Sequence, residues 1–137
     1  MQQTAEAGRV QRFHISRNGI LKEDAMKIAY ICSPYRGGFF QRLRNIRYAQ
    51  QITRNAVRLG FAPVATHLYL TQVLDDKQPL ERAKGIKASL SILSGCDTLI
   101  VGTRYGVSEG MAAEIEHAQK NGITVIWILG GIACYTR

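Results

Sequence analysis

The sequence predicts an α/β domain, a doubly wound, flavodoxin- or Rossmann-like parallel sheet of four to five strands with helices on both faces. Three observations predict it. From Lys27 onward, short apolar runs alternate with stretches of helical periodicity. Each helical stretch ends at a glycine, namely Gly60, Gly95 and Gly122. The last apolar run, Ile123 to Leu129, is unbroken, as in a strand covered on both faces.

Residues 1–25 mix polar and charged types without sustained periodicity and read as a flexible extension, with the domain proper over 26–137 and Met26 a candidate natural start. Strand Ile28 to Cys32 leads through Ser33-Pro34-Tyr35-Arg36-Gly37-Gly38 into a helix at Phe40 to Leu59. A second strand, Phe61 to Ala65, and the turn Thr66-His67-Leu68 precede a long connection, Tyr69 to Gln78. Pro79, a residue type suited to a first helical position, opens a helix to Leu93. Strand Thr98 to Val101 feeds the loop Gly102 to Val107, and Ser108 caps a helix running to Lys120. The tail Gly130 to Arg137 carries no further strand signal, so the sheet edge after the last strand is expected to be open and available for pairing in a homo-oligomer.

At 137 residues, 46% hydrophobic and 20% charged, the chain suits a single domain with a sizeable core. No apolar run approaches the roughly 20 residues that span a bilayer, and the start lacks the apolar centre of a secretory signal, so a cytoplasmic protein with no membrane partner is expected. Cys32, Cys96 and Cys134 are unevenly spaced and read as reduced core thiols; His14, His67 and His117 are too scattered for a metal cluster. Neither a metal nor a cofactor is proposed.

The formal net charge of +8 points to an anionic partner, either nucleic acid or a phosphorylated small molecule. Arg47, Arg54 and Arg58 follow helical spacing opposite Leu43, Ile46, Ile52, Ala56 and Leu59. With no aromatic residue on that arginine stripe for base stacking, a solvated helix face is the expectation and a nucleic-acid surface is not.

In such a sheet, ligands bind at the carboxyl ends of the strands. Three loops meet there: Ser33 to Gly38, Thr66 to Leu68, and Thr103 to Met111. Gly37 and Gly38, before a helix, offer backbone N–H groups to a phosphate with Arg36 adding charge, or form a plain turn. Ser108 and Gly110 open another helix and can cradle an anion, a role compatible with capping. Glu114 lies about 9 Å along that helix from Ser108 at 1.5 Å per residue, on the flank of Met111, Ile115 and Ala118, with no cation of its own helix beside it. A partly buried carboxylate facing a pocket follows, whereas Glu116 pairs with Lys120 and needs no function. Asp97, before the third strand, is at the opposite end and structural. Tyr35 and His67 stand at the site edge, where they either orient a sugar or base or pack on the core.

Taken together, Ile31-Cys32-Ser33-Pro34-Tyr35-Arg36-Gly37, Ala65-Thr66-His67-Leu68, Leu74-Asp75-Asp76 with Pro79-Leu80-Glu81-Arg82, Gly95-Cys96-Asp97 and Ser108-x-Gly110-Met111-x-x-Glu114 make the chain resemble the nucleoside 2-deoxyribosyltransferase superfamily, closest to an uncharacterised, often phage-borne domain family within it. The resemblance spans Met26 to about Leu129. It implies a nucleoside or nucleoside 5′-monophosphate as small-molecule partner, Glu114 as the nucleophile toward the anomeric carbon, and Tyr35 positioning that carboxylate or the sugar. By the same resemblance, Ser33, Arg36, Gly37, Gly38, His67, Ser108, Gly110 and Met111 would hold the ligand. One position departs: where these enzymes carry an aspartate on the second helix, this chain has Ser89. A serine does not protonate a departing base, so the implied alternatives are compensation by Asp75 or Asp76, or a nucleotide-binding module without catalysis.

Overall fold

The computed structural model describes residues 25–129 and the backbone of a strand at Ile132–Thr136. The expected extension over residues 1–25 lies, but for Ala25, outside the described residues.

Four parallel strands form the sheet's body: β1 (Lys27–Cys32), β2 (Phe61–Val64), β3 (Thr98–Gly102) and β4 (Thr124–Leu129). The helices are α1 (Phe39–Arg58), α2 (Leu70–Val73), α3 (Pro79–Ser94) and α4 (Glu109–Lys120), with a 3₁₀ turn at Thr66–Leu68 before α2. The long connection after β2 thus contains a short helix that its mixed composition does not announce. Glycine ends α1 in the expected way: Gly60 sits at φ 94°, where a β-carbon is strained.

The tail departs from expectation. Ile132–Thr136 forms β5, antiparallel to β4, with Leu129 paired to Ile132. A β-branched and aromatic run behind Gly130-Gly131 folds back as a hairpin, so the edge of β4 is occupied and offers no open partner surface. The order is β2-β1-β3-β4-β5, and the outer strand β2 carries Pro63, which has no N–H to donate.

Strand alternation divides the core in two. On one face Tyr30, Cys32, Leu99, Val101 and Val125 meet Leu93 and Cys96 at the end of α3 and Met111, Ile115 and Ala118 of α4. On the other, Ala29, Ile31, Ile100 and Ile128 meet Tyr48, Ile52 and Ala56 of α1. Gly102 lets α1 close onto the end of β3: a β-carbon there would overlap the Ile52 side chain and come within 2.8 Å of the Tyr48 hydroxyl. Gly102→Ala is therefore expected to destabilise the fold by about 1–3 kcal/mol through overpacking, read from denaturant titration.

Asp97 fixes the opposite end, accepting the Ile28 N–H at 2.8 Å while its own N–H donates to the Ile28 carbonyl. With strands β2-β1-β3-β4 in this order, the chain reverses direction of sheet growth between β1 and β3. Loops after those two strands diverge to opposite faces and leave a crevice between them.

Candidate active site

A cleft of about 640 Å³ opens at that crevice. Its lining includes Ser33 to Gly37 from the loop after β1, His67 after β2, Ser89 on α3, and Ser108 to Met111 with Glu114 on α4. Leu70, Leu74, Ile86 and Leu90 make an apolar wall. The volume lies in the range of small-molecule sites, and a mostly apolar wall with a few convergent polar groups is their usual form.

Glu114 is half-buried and accepts a hydrogen bond from the Tyr30 hydroxyl. Among the described residues no cation pairs with it. Burial raises its pKa, while the bonds from Tyr30 and the Cys32 thiol oppose that rise. Tyr30 is pushed well above the usual tyrosine range, first by burial and then by the Glu114 charge, so it stays a proton donor throughout the physiological range. Cys32 is raised by the same two causes and its thiol also reaches the Met111 carbonyl at 3.9 Å.

Three hydroxyls stand in line behind the carboxylate. Tyr30 Oη lies 2.7 Å from Thr66 Oγ1, and Thr66 Oγ1 lies 3.2 Å from Ser89 Oγ. Each hydroxyl has one proton to give. Since Tyr30 donates to Glu114, Thr66 must donate to Tyr30 and Ser89 to Thr66. The chain runs one way, Ser89 to Thr66 to Tyr30 to Glu114, and each bond polarises the next toward the carboxylate. An ionised aspartate at position 89 could only accept, so the serine is what permits this direction.

The phenol bound to Glu114 is Tyr30 rather than Tyr35. Tyr35 lines the cleft from the loop, and its carbonyl accepts from Asn45 Nδ2 at 3.2 Å. Of the two glycines, Gly37 lines the cleft but Gly38 does not; the Gly38 N–H is taken by Gln41 Oε1 at 2.9 Å, so that donor is spent on capping α1. Asp75 is also outside the cleft. Its N–H donates to Glu81 at 2.6 Å and its carboxylate accepts the Lys77 N–H at 2.9 Å, which makes it the organiser of a turn. Asp76 does reach the rim, where it pairs with Arg36 at 3.5 Å across the mouth. Both partners are exposed, and such pairs contribute little, so an incoming anion can displace Asp76 from Arg36.

Ser108 caps α4, accepting the Met111 N–H at 3.3 Å, and the Met111 sulfur accepts the Ser108 N–H at 3.4 Å. Met111 is a core residue whose edge touches the cleft. A β-carbon on Gly110 would meet nothing within 4 Å, so packing does not require glycine there. Glu116 pairs with Lys120 at 2.9 Å, as its spacing implies.

Ser33 Oγ and His67 Nε2 are 2.9 Å apart, and burial lowers the His67 pKa to about 4. The ring is neutral at physiological pH and lends no charge to an anion. Because its folded value lies below the usual 6.5, its contribution to stability is complete above pH 6.5 and is lost as pH falls toward 4. Wild type is expected to lose about 2–3 kcal/mol over that window relative to His67→Gln, read from unfolding midpoints at each pH.

Cys32 and Cys96 are buried free thiols, while the side chain of Cys134 lies outside the described residues. Among the described residues no helix is long and apolar enough to cross a membrane.

The solved structure of 2-deoxyribosyltransferase from the psychrotolerant bacterium Bacillus psychrosaccharolyticus is similar to this chain, with a TM-score of 0.54 and 20% identity, covering 74% of this chain and 72% of that one. At that identity the likeness establishes the shared α/β fold. No curated protein sequence matches. A family model described as a domain of unknown function, DUF7768, matches residues 27–128, which takes in β1 to β3, all of β4 but Leu129, α1 to α4 and every cleft residue named above. The chain belongs to that domain family.

Proposed function

We propose that this domain cleaves or transfers the N-glycosidic bond of nucleosides or nucleoside 5′-monophosphates, with Glu114 as nucleophile. The observation that carries the reading is the Glu114 carboxylate: half-buried in the cleft, without a cation, and held by a phenol that cannot deprotonate in the physiological range. A carboxylate kept apart from salt bridges retains its nucleophilicity, and one beside the anomeric carbon both stabilises an oxocarbenium-like transition state and captures it. The likeness to a deoxyribosyltransferase fold supports the substrate class.

In this reading the apolar wall of Leu70, Leu74, Ile86 and Leu90 receives the base, and Tyr35 with Ser33 contacts the sugar. Arg36, released from Asp76, meets the phosphate together with Gly37 and the start of α4 at Ser108 and Gly110. Attack by Glu114 breaks the bond from the anomeric carbon to the base, and the electron pair leaves with the base. Water or a second base then resolves the glycosyl ester. With Ser89 in a hydroxyl chain rather than an acid, the departing base takes its proton from solvent water at the open mouth of the cleft.

The same Ser89 favours a second reading, a nucleotide-binding module without turnover. Incubation with a panel of deoxynucleosides and their monophosphates, followed by chromatography for free base, separates the two. Free base from at least one substrate is expected. Calorimetric binding of a monophosphate with no base released from any substrate would leave the module.

A further inference from the structure

On the other face of the sheet, a groove of about 390 Å³ lies between α1 and the loop after β3, lined by Phe40, Leu43, Arg44, Arg47, Tyr48, Gln51, Arg104 and Tyr105. Its chemistry differs from that of the cleft: three arginines, three aromatic rings and no acid. The Arg44 guanidinium sits 3.9 Å from the centre of the Tyr105 ring, and Tyr105 packs edge-on against Tyr48 at 5.2 Å. The Arg104 N–H donates to the Tyr48 hydroxyl at 3.2 Å, tying the loop to the helix. Among the described residues, no carboxylate pairs with Arg44, Arg47 or Arg104.

The groove continues along α1. Arg44, Arg47, Gln51, Arg54 and Arg58 are all exposed and recur at intervals of three and four residues, which sets them on one stripe about 21 Å long at 1.5 Å per residue. At its amino end, Phe39 and Phe40 remain 68% and 81% exposed and contact each other edge to face. The sequence expectation of a merely solvated face rested on the absence of interleaved aromatics. Phe40 stands on α1 itself, four residues before Arg44, and folding adds Tyr105 from the loop after β3 to the same groove.

We propose that this stripe and groove bind a single-stranded nucleic acid, its phosphates following the arginines of α1 and its bases stacking at Phe40 and against the Arg44–Tyr105 pair. A cationic track with aromatic platforms is the combination single strands require, because unpaired bases expose the faces that a duplex hides. The length of the stripe exceeds one phosphate, which favours a polymer over a free mononucleotide. Charge complementarity excludes a basic partner. The site lies on the opposite face of the sheet from Glu114 and does not depend on glycosidic chemistry.

Fluorescence anisotropy of the full chain with a labelled 15-nucleotide oligothymidylate tests this, with the matched duplex, a 15-residue polyglutamate and thymidine monophosphate as competitors. Binding at low salt is expected, with the single strand preferred over all three competitors. The slope of log affinity against log salt should be about −0.7 for each phosphate neutralised. Arg47→Ala with Arg54→Ala should flatten that slope by roughly 1.4. Phe40→Ala should weaken binding about fivefold or more with the slope retained. Phe40, Arg47 and Arg54 are exposed, so these variants should fold, as unchanged thermal midpoints would verify. Absent binding at low salt, equal competition by duplex or polyglutamate, or affinity unchanged in these variants would overturn the proposal. So would a dimer, seen by sedimentation, that Phe40→Ala dissociates while the oligonucleotide fails to bind.

Discussion

Glu114→Gln is expected to stop release of free base, lowering kcat by about 10⁴-fold or more, while monophosphate affinity stays within a few-fold of wild type. The amide keeps the shape of the carboxylate and still accepts the Tyr30 hydroxyl, so the fold and cleft persist. What is removed is the anion that must attack carbon. Rapid-quench assays for free base alongside calorimetry check both halves. In wild type, activity requires ionised Glu114, whose pKa burial raises. The acid limb of kcat/KM is therefore expected above the ordinary glutamate range, with activity rising as pH passes through it.

Tyr30→Phe should have the next largest effect, and on two observables. Deleting the hydroxyl leaves half-buried Glu114 with only the weak Cys32 thiol as donor and buried Thr66 without its acceptor, at a stability loss of about 1–3 kcal/mol. Turnover should fall by about 10²-fold as the carboxylate loses its fixed orientation. The Tyr30 bond opposes the rise in the Glu114 pKa, so its loss should also move the acid limb of kcat/KM upward. A residue that only filled space would leave that limb in place. Unfolding curves and pH profiles of the variant and wild type distinguish these outcomes.

The parallel sheet was legible because its strands are unbroken apolar runs and its helices carry clear stops, and β1 to β4 fall within a residue or two of the expected spans. The flank position of Glu114 was legible for the same reason: helical spacing from Met111 and Ile115 places it beside the core. Tyr30 was not, since a tyrosine inside Lys27–Cys32 reads as one more core residue. Only the register of β1 against β3 and α4 turns its hydroxyl toward Glu114. A signal did exist, because a tyrosine in a fully covered strand must find a partner for its hydroxyl. Tyr35, four residues from a helix in a glycine-bearing loop, had the more familiar look of a site residue.

Loop chemistry was harder to read. Asp75 and Asp76 are neighbours of equal charge, yet one closes a turn onto Lys77 and the other faces Arg36 across the cleft. That division depends on backbone direction, which neither composition nor spacing encodes. Gly37 and Gly38 part in the same way, through the reach of Gln41. Strand β5 is masked in the sequence because its five residues follow two glycines, although a two-residue glycine link between apolar runs is itself a hairpin signal.

The proposed chemistry forms a bond between Glu114 and the sugar, and the mass of the protein reports it directly. After mixing with a deoxynucleoside 5′-monophosphate that is turned over, and acid quenching early in the reaction, wild type should gain one deoxyribosyl phosphate, mapped to the α4 peptide at Glu114. Glu114→Gln should gain none. An adduct on any other side chain, or base release that continues undiminished in Glu114→Gln, would contradict it.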